Sequence, residues 1–365
     1  MTAAGGPARR SPVRWDGTAI EIVDQARLPA TLEYLRLETV DAAVDAIRRL
    51  AVRGAPAIGG CGALAMVLGI DSALSNETDL SLPEAREIVA ALAGRIVMAR
   101  PTAVNLSWAV RRVAGAAAGA GSIADIHELA LAEALRVIEE DREACRRIGE
   151  IGRAELAGRS TLLTHCNTGW LATLGWGTAL GIVYAKAAAG EPVHVFACEA
   201  RPLLQGARLT AWELIDAGID VTLVADGAAA PLLASGRIDA VVVGADRIVA
   251  NGDVANKIGT LGIAIAARRS GVPFYVVAPT SSFDPTLATG EGIVIEERPA
   301  DEVRTWQGRL AAPAGVNVWN PAFDVTPAEL VTAYITEVGV LHPPFDDLPT
   351  APSPHEAARE SAASL

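Results

Sequence analysis

After about residue 159, short β-branched runs recur with helix-patterned sequence between them. They fall at 161–165, 193–198, 221–224, 240–243 and 274–278, with a weaker sixth run at 292–295. Strands separated by one helix's worth of chain form βαβ units, because a parallel neighbour is reached only through a long crossover. The pattern predicts an α/β fold: a parallel, doubly wound sheet with helices on both faces. Aromatic residues are only 4% of the 365 residues, and Ala, Val, Leu and Gly dominate, which suits helix–sheet packing better than a β-sandwich.

The chain before that point reads differently. A strand-and-turn lead-in contains AIEIVDQ (19–25), and from Thr39 the apolar residues Val40, Ala43, Val44, Ile47 and Leu50 take helical spacing. Further helices are predicted at 56–74, 83–99, 105–118 and 123–151, with a glycine loop at 119–121. The expected organisation is a disordered N-terminus (1–14), a mostly helical N-terminal domain with a short β lead-in (15–122), a connecting helix (123–158), a catalytic domain (159–346) and a disordered tail (347–365).

The formal charge of −12 argues against a broad nucleic-acid surface and leaves room for a local basic pocket. Arg9, Arg10 and Arg14 precede no apolar core, so the start does not read as a secretory signal. The Gly-rich apolar stretches at 55–70 and 171–189 read as buried helices and not as membrane spans. Cys61, Cys145, Cys166 and Cys198 show neither CxxC pairing nor metal-ligand spacing, which fits a reducing cytoplasm.

Most predicted strands end in small or polar residues: THCNTG, ACEARP, VADGA, VGADRI and VAPTSSFD. Ligands of open α/β sheets bind at the carboxyl ends of the strands. His165, Cys166, Asn167, Glu199, Arg201, Asp226, Asp246, Thr280 and Ser281 are therefore expected on one rim. Each alone is equally explained as a cap or an exposed loop residue; together they read as a site. Cys166 is expected near the N-terminus of a following helix, whose dipole would favour thiolate. Asp246 follows an apolar strand and suits an acid/base role or a turn cap. Asp226 reads as an N-cap. Asn256 and Lys257 are placed at a helix start, as an anion site. Arg53, before Gly54-Ala55-Pro56, and Arg100, before Pro101, stand at two more helix starts and suggest a phosphate clamp, or solvated surface charges. There is no Walker loop and no GxGxxG after a strand, so no nucleotide cofactor is indicated.

Several long blocks resemble one family: VRGAPAIGG (52–60), RPTAVNLSWAV (100–110), LLTHCNTG (162–169), RPLLQGARLTAWEL (201–214), VVVGADRIVANGDVANKIGT (241–260) and NPAFDVTP (320–327). They look like the methylthioribose-1-phosphate isomerases, from a superfamily shared with the α, β and δ subunits of the translation initiation factor 2B complex. The resemblance covers about residues 15–344. It implies a Rossmann-like C-terminal domain, a homodimer, no cofactor and no metal. It implies catalytic roles for Cys166 and Asp246, and substrate contacts from Arg53, Gly54, Ala55, Arg100, Gln205, Asn256 and Lys257. One departure is Ala200, in EARP, where the family usually has Thr, which removes a hydrogen bond near the rim. The implied reaction turns 5-methylthioribose 1-phosphate into 5-methylthioribulose 1-phosphate in methionine salvage, with a small sugar phosphate as the only partner besides a second copy. The alternatives are a ribose-1,5-bisphosphate isomerase and a non-catalytic regulatory subunit binding a sugar phosphate or nucleotide.

Overall fold

Where a helix is apolar on every side it must be buried on every side, and the chain has one such helix at the centre of its N-terminal half. The computed structural model describes residues 11–76, 80–306, 308–343, 345 and 348–349. It opens with a three-stranded antiparallel sheet, β1 (Val13–Trp15), β2 (Ile20–Val23) and β3 (Tyr34–Leu37), in that order. Then come α1 (Val40–Arg48), α2 (Ala55–Asn76), α3 (Leu82–Val97), α4 (Val104–Ala118) and α5 (Ile123–Glu155). Thr39 caps α1 by accepting from the Ala42 N–H. Ser81 and Glu84 form a reciprocal capping box at α3, satisfying backbone donors that its first turn leaves open. Helix α2 is the central one. By length and composition it is apolar enough to cross a membrane, yet 78% of its most apolar window is buried among its neighbours. Small residues admit those neighbours: a Cβ at Gly59 would lie 3.1 Å from the Asn105 carbonyl oxygen on α4, and one at Gly69 would meet Leu92 on α3.

The second half builds a seven-stranded sheet from β4 (Thr161–Thr164), β5 (His194–Cys198), β6 (Asp220–Val224), β7 (Ala240–Val243), β10 (Phe274–Val277), β15 (Ala333–Thr336) and β16 (Gly339–Leu341). Its order is β16-β15-β10-β7-β4-β5-β6; every pairing is parallel except that of β16, which runs antiparallel on the edge. The chain first winds outward from β4 through β5 to β6, then crosses to β7 and winds the other way. Helices α6 (Ala179–Ala188), α7 (Ala211–Asp216), α8 (Ala229–Ala234) and α9 (Thr260–Ser270) lie between the strands in sequence. A smaller mixed sheet, in the order β11-β8-β9-β14, combines β8 (Arg247–Val249), β9 (Val254–Lys257), β11 (Phe283–Asp284) and β14 (Phe323–Thr326). A short helix α10 (Asp301–Arg304), the two-stranded ribbon β12 (Thr305–Trp306) with β13 (Arg309–Leu310) and a π-helical turn at Gly206–Thr210 that leads into α7 complete the described elements outside the 3-10 turns.

Several expectations need correction. The run at 292–295 is not a strand; the sixth parallel strand is β15, whose residues are all buried. The stretch 171–189 is helical only over α6, and its first part is irregular. Residues 11–14 are ordered: Ser11 and Val13 are buried, and β1 begins inside the segment expected to be disordered. At the other end Phe345 stacks edge-on against Tyr334 with ring centroids 4.6 Å apart, and Leu348 packs on the sheet core. Residues 1–10, 347 and 350–365 lie outside the described residues.

The chain also divides elsewhere than expected. One compact unit runs up to Arg146 and takes in Trp170–Gly177; the other comprises Arg147–Gly169 and Thr178–Pro349. The expected connecting helix is α5 (Ile123–Glu155), which begins in the first unit and ends in the second. Its Ile126, Ala130, Ala134, Val137 and Ile138 belong to the core of the helical unit. Further on, Gly149 and Gly152 lie against Gly181 and Ile182 of α6, within the sheet unit.

Candidate functional site

In the sheet unit the ends of β4, β7 and β9 bring three chemistry-bearing groups within electrostatic reach. Burial of Lys257, at the end of β9, lowers its affinity for a proton; Cys166, Asp246 and Glu302 act against that shift and Arg298 adds to it. Lys257 is 5% exposed and donates to the Ala322 carbonyl at 3.4 Å. Cys166 is half-buried with φ +64°, a left-handed conformation that disfavours most residues and costs strain at this one. Asp246, also half-buried, follows Gly244, where a Cβ would come within 2.8 Å of the Thr168 side chain; its own N–H donates to the Ala255 carbonyl at 2.9 Å. That bond sets β7's end beside β9.

The Cys166 turn is fixed by groups that the sequence pattern alone did not single out. The Thr210 hydroxyl donates to the Cys166 carbonyl at 2.7 Å. Asn167 donates its side-chain amide to Thr210 at 3.2 Å and to Glu213 at 2.7 Å, and the Tyr184 hydroxyl donates to the other Glu213 oxygen at 2.8 Å. Glu213 is 1% exposed. A carboxylate set in the apolar run LTAWELI was the available signal, since such a group needs partners once buried. No helix starts directly after Cys166; the chain stays irregular until α6 at Ala179. The expected helix dipole is thus absent from the following segment, and Lys257 is a cation within electrostatic reach of Cys166.

Asn256 and Lys257 need a similar correction. They are strand residues of β9, paired with Asp324 and Phe323 of β14, and not the first turn of a helix. Helix α9 starts at Thr260, and two of the N–H groups at its start are already taken. Asp324 accepts from Gly259 at 2.7 Å and from Leu261 at 3.1 Å. Burial pushes the Asp324 carboxyl up to about 6, against the pull of those two N–H groups and of Lys257. The place expected to bind a substrate anion therefore holds a protein carboxylate. Asn256 donates to the Thr260 hydroxyl at 3.0 Å.

Asp226 is not an N-cap of the segment after it. Its two oxygens accept from the backbone N–H groups of Ala200 and Arg201 at 2.9 and 2.7 Å, holding a turn in which Ala200 and Leu204 have positive φ. Gln205 ends that turn, 8% exposed, with its Oε1 buried and without a hydrogen-bond partner. Thr280, at the end of β10, is bound by Glu337 through both its N–H and its hydroxyl.

Among the described residues one set of donor atoms has metal-ligand spacing: His165 Nδ1, Cys198 Sγ and an Asp226 oxygen lie within 4.8 Å of one another. Burial pushes the Cys198 thiol up to about 12, with the Asp226 and Glu199 charges adding to it. A metal would have to displace a tightly held proton there, and the Asp226 oxygens are already engaged.

The expected substrate contacts Arg53, Gly54, Ala55 and Arg100 lie in the helical unit. Gly54 has φ +91°, and a Cβ there would sit 2.5 Å from the Ala172 Cα; the Ala57 N–H donates to the Ala172 carbonyl at 3.2 Å. Gln25 donates to the Leu171 carbonyl at 2.8 Å, so Leu171 and Ala172 are packed onto the start of α2, where Arg53 is buried and Ala55 opens the helix. Arg100, half-buried, lies in the turn before α4, its carbonyl accepting from the Ala103 N–H.

Residues 51–343 match the Initiation factor 2 subunit family. The chain is 51% identical over 337 residues to the 5-deoxyribose 1-phosphate isomerase of Moorella thermoacetica, spanning 92% of this chain and 95% of that one. It is 50% identical over 341 residues to the methylthioribose-1-phosphate isomerase of Pelotomaculum thermopropionicum, spanning 92% of each. Among solved structures, the 5-methylthioribose 1-phosphate isomerase of Pyrococcus horikoshii OT3 superposes with a TM-score of 0.85 at 39% identity, over 95% of this chain and 97% of that one. The match spans most of the sequence, and half the residues are shared with relatives aligned nearly end to end: the chain belongs to the Initiation factor 2 subunit family.

Proposed function

We propose that the protein is an aldose–ketose isomerase that converts 5-methylthioribose 1-phosphate into 5-methylthioribulose 1-phosphate. The observation that carries this reading is that a thiol and a carboxylate, Cys166 and Asp246, follow the adjacent strands β4 and β7, with Asp246 hydrogen-bonded to β9, the strand that ends in buried Lys257. The relatives' names supply the substrate.

The chemistry explains why such groups are needed. The 1-phosphate blocks the anomeric oxygen, so the ring cannot open by ordinary mutarotation. The ring oxygen must gain a proton as its bond to C1 breaks. The hydrogen on C2 must then move to C1 while the C2 hydroxyl loses its proton and becomes the ketone. In our reading Asp246 exchanges protons with the ring oxygen or hydroxyl, Cys166 serves the C1–C2 transfer, and Lys257 stabilises negative charge that develops between them. Gln205, with its unpartnered buried oxygen, and Asn256 are suited to hold sugar hydroxyls. We keep Arg53, Gly54, Ala55 and Arg100 as proposed substrate contacts, each to be tested by its own substitution. We read the reversal of strand order between β4 and β7 as Rossmann-like, and the protein as a cytoplasmic homodimer; sedimentation at several concentrations tests the dimer.

The 51% identical relative from Moorella favours a second reading, 5-deoxyribose 1-phosphate as substrate, with the same chemistry at C1 and C2. The deciding experiment is an isomerase assay with the methylthio, 5-deoxy and 1,5-bisphosphate sugars side by side. Turnover of the methylthio sugar with the highest kcat/KM supports the proposal; preference for another sugar moves the substrate and keeps the reaction. Absence of turnover with all three rejects the enzyme reading. Running the reaction in deuterated water separates the routes: deuterium at C1 means proton transfer, and its absence means a hydride shift.

A further inference from the structure

His165 is buried beside Cys166, and the reaction drawn above gives it no task. Its Nε2 lies 2.8 Å from the Ile258 carbonyl oxygen, which can only accept, so Nε2 carries the proton. Burial holds the imidazole below its ordinary range, so the ring is neutral and Nδ1 bears a lone pair. That atom has no hydrogen-bond partner, and the nearest carboxylate oxygen, on Asp226, is 3.9 Å away. A neutral, 1% exposed ring is poorly placed to exchange protons with a substrate. Its one bond, however, joins two particular segments. His165 precedes Cys166, and Ile258 follows Lys257. Gly259, at φ +104°, lies so close to the ring that a Cβ would come within 3.1 Å of Nε2, and its N–H is fixed by Asp324. Ring and turn are thus packed and bonded to one another between the segment that bears Cys166 and the one that bears Lys257.

From this geometry we infer that His165 is a positioning residue, whose Nε2–H bond to the Ile258 carbonyl ties the turn bearing Cys166 to the strand end bearing Lys257. The inference deepens the isomerase reading and rests on it for its kinetic part. Thr210 holds the carbonyl of Cys166 from the other side, so the strained φ of Cys166 is maintained by two anchors. Removing the tether lets the thiol and the ammonium drift apart without emptying the core, and displacements of about an ångström cost up to about a hundredfold in rate.

The test compares His165→Phe, which keeps a ring but lacks the donor, with His165→Gln, whose amide reaches a similar position and can donate. With wild-type turnover established, His165→Phe should lose roughly ten- to a hundredfold in kcat with little change in KM, and His165→Gln should regain most of it. Alkylation by iodoacetamide, mapped by mass spectrometry, supplies a readout that general destabilisation would move the other way. Cys166 should react more slowly in His165→Phe, having lost the ammonium that favours its thiolate, while the buried Cys61, Cys145 and Cys198 stay protected. Faster alkylation of those three would make the residue's role merely structural and overturn the inference, as would an unchanged Cys166 rate or a Gln variant no better than Phe. If the wild type turns over no sugar, the isomerase reading fails, and the alkylation arm still decides the tether.

Discussion

The helical unit and the rim of the sheet unit both rely on close approach, but they approach different things. Around α2, added atoms at the glycines mostly meet the ends of side chains: Leu106 at Gly62, Leu174 at Gly60 and Leu92 at Gly69. On the rim two of them meet backbone or a buried carboxylate: Gly206 lies against the Cys198 carbonyl and Gly169 against the Glu213 carboxylate. Side-chain ends can shift into new rotamers, whereas a strand's carbonyl and a carboxylate with fixed partners cannot. Both units bury polar groups: Ser11, Asp24, Gln25, Arg53, Asn105, Glu133 and Thr173 in the helical unit, and a larger set in the sheet unit that includes Thr164, His165, Asn167, Thr168, Gln205, Thr210, Glu213, Asn256 and Lys257. One region is organised to be filled, the other to hold particular atoms in place.

The contrast can be broken most forcefully at the two groups proposed to react. Cys166→Ser and Asp246→Asn should each lower kcat/KM by about a thousandfold or more while leaving the melting temperature within a few degrees; a mild loss in either would remove that residue from the chemistry. Next comes Gly206→Ala. Its Cβ would lie 2.9 Å from the Cys198 carbonyl carbon and nearer still to the oxygen, so a loss of about 3 kcal/mol is expected in urea melts. Gly62→Ala should lose clearly less, and equal losses would erase the distinction drawn here. Asp324 gives a smaller, pH-dependent effect. Its folded value of about 6 lies above the ordinary carboxyl value of 3.8. Its contribution to stability is therefore fully present below the unfolded value and is lost as pH rises through 6. Relative to wild type, Asp324→Asn should gain about 2 kcal/mol between pH 4.5 and 7; a pH-independent difference would count against the buried carboxyl. The smallest effect belongs to the helical unit. Gly94 and Gly115 are exposed within α3 and α4 with nothing within 4 Å of an added Cβ, and Ala at either should stabilise by about 0.5–1 kcal/mol.

The five strong parallel strands and the helices α1 to α5 were legible because periodicity reports which face is buried, and these elements bury a consistent face. Strand β15 was missed since AYIT is short and follows a stretch of irregular chain. Within the site, Cys166 and Asp246 could be read from their positions after apolar strands. Lys257 was found for the wrong reason: the Lys-Ile-Gly-Thr sequence does lead into a helix, but the lysine belongs to the strand before it. The sequence does not reveal that Asp324, 65 residues further on, occupies the helix start. Nor does it reveal that Asp226 serves the Ala200 turn and not its own segment, because both are long-range pairings with no local signature. Ala200 illustrates the same limit. The missing threonine hydroxyl was noticed, but the backbone N–H at that position is what Asp226 binds.

The left-handed backbone at Cys166 carries a consequence for how this protein tolerates change. Glycine would adopt that conformation with less strain than any residue bearing a Cβ, so the fold by itself favours losing the side chain. A library selected for thermal survival alone should drift towards glycine at residue 166, and one selected for turnover should hold the cysteine. The divergence of those two outcomes at a single codon would measure how far folding and chemistry pull apart there.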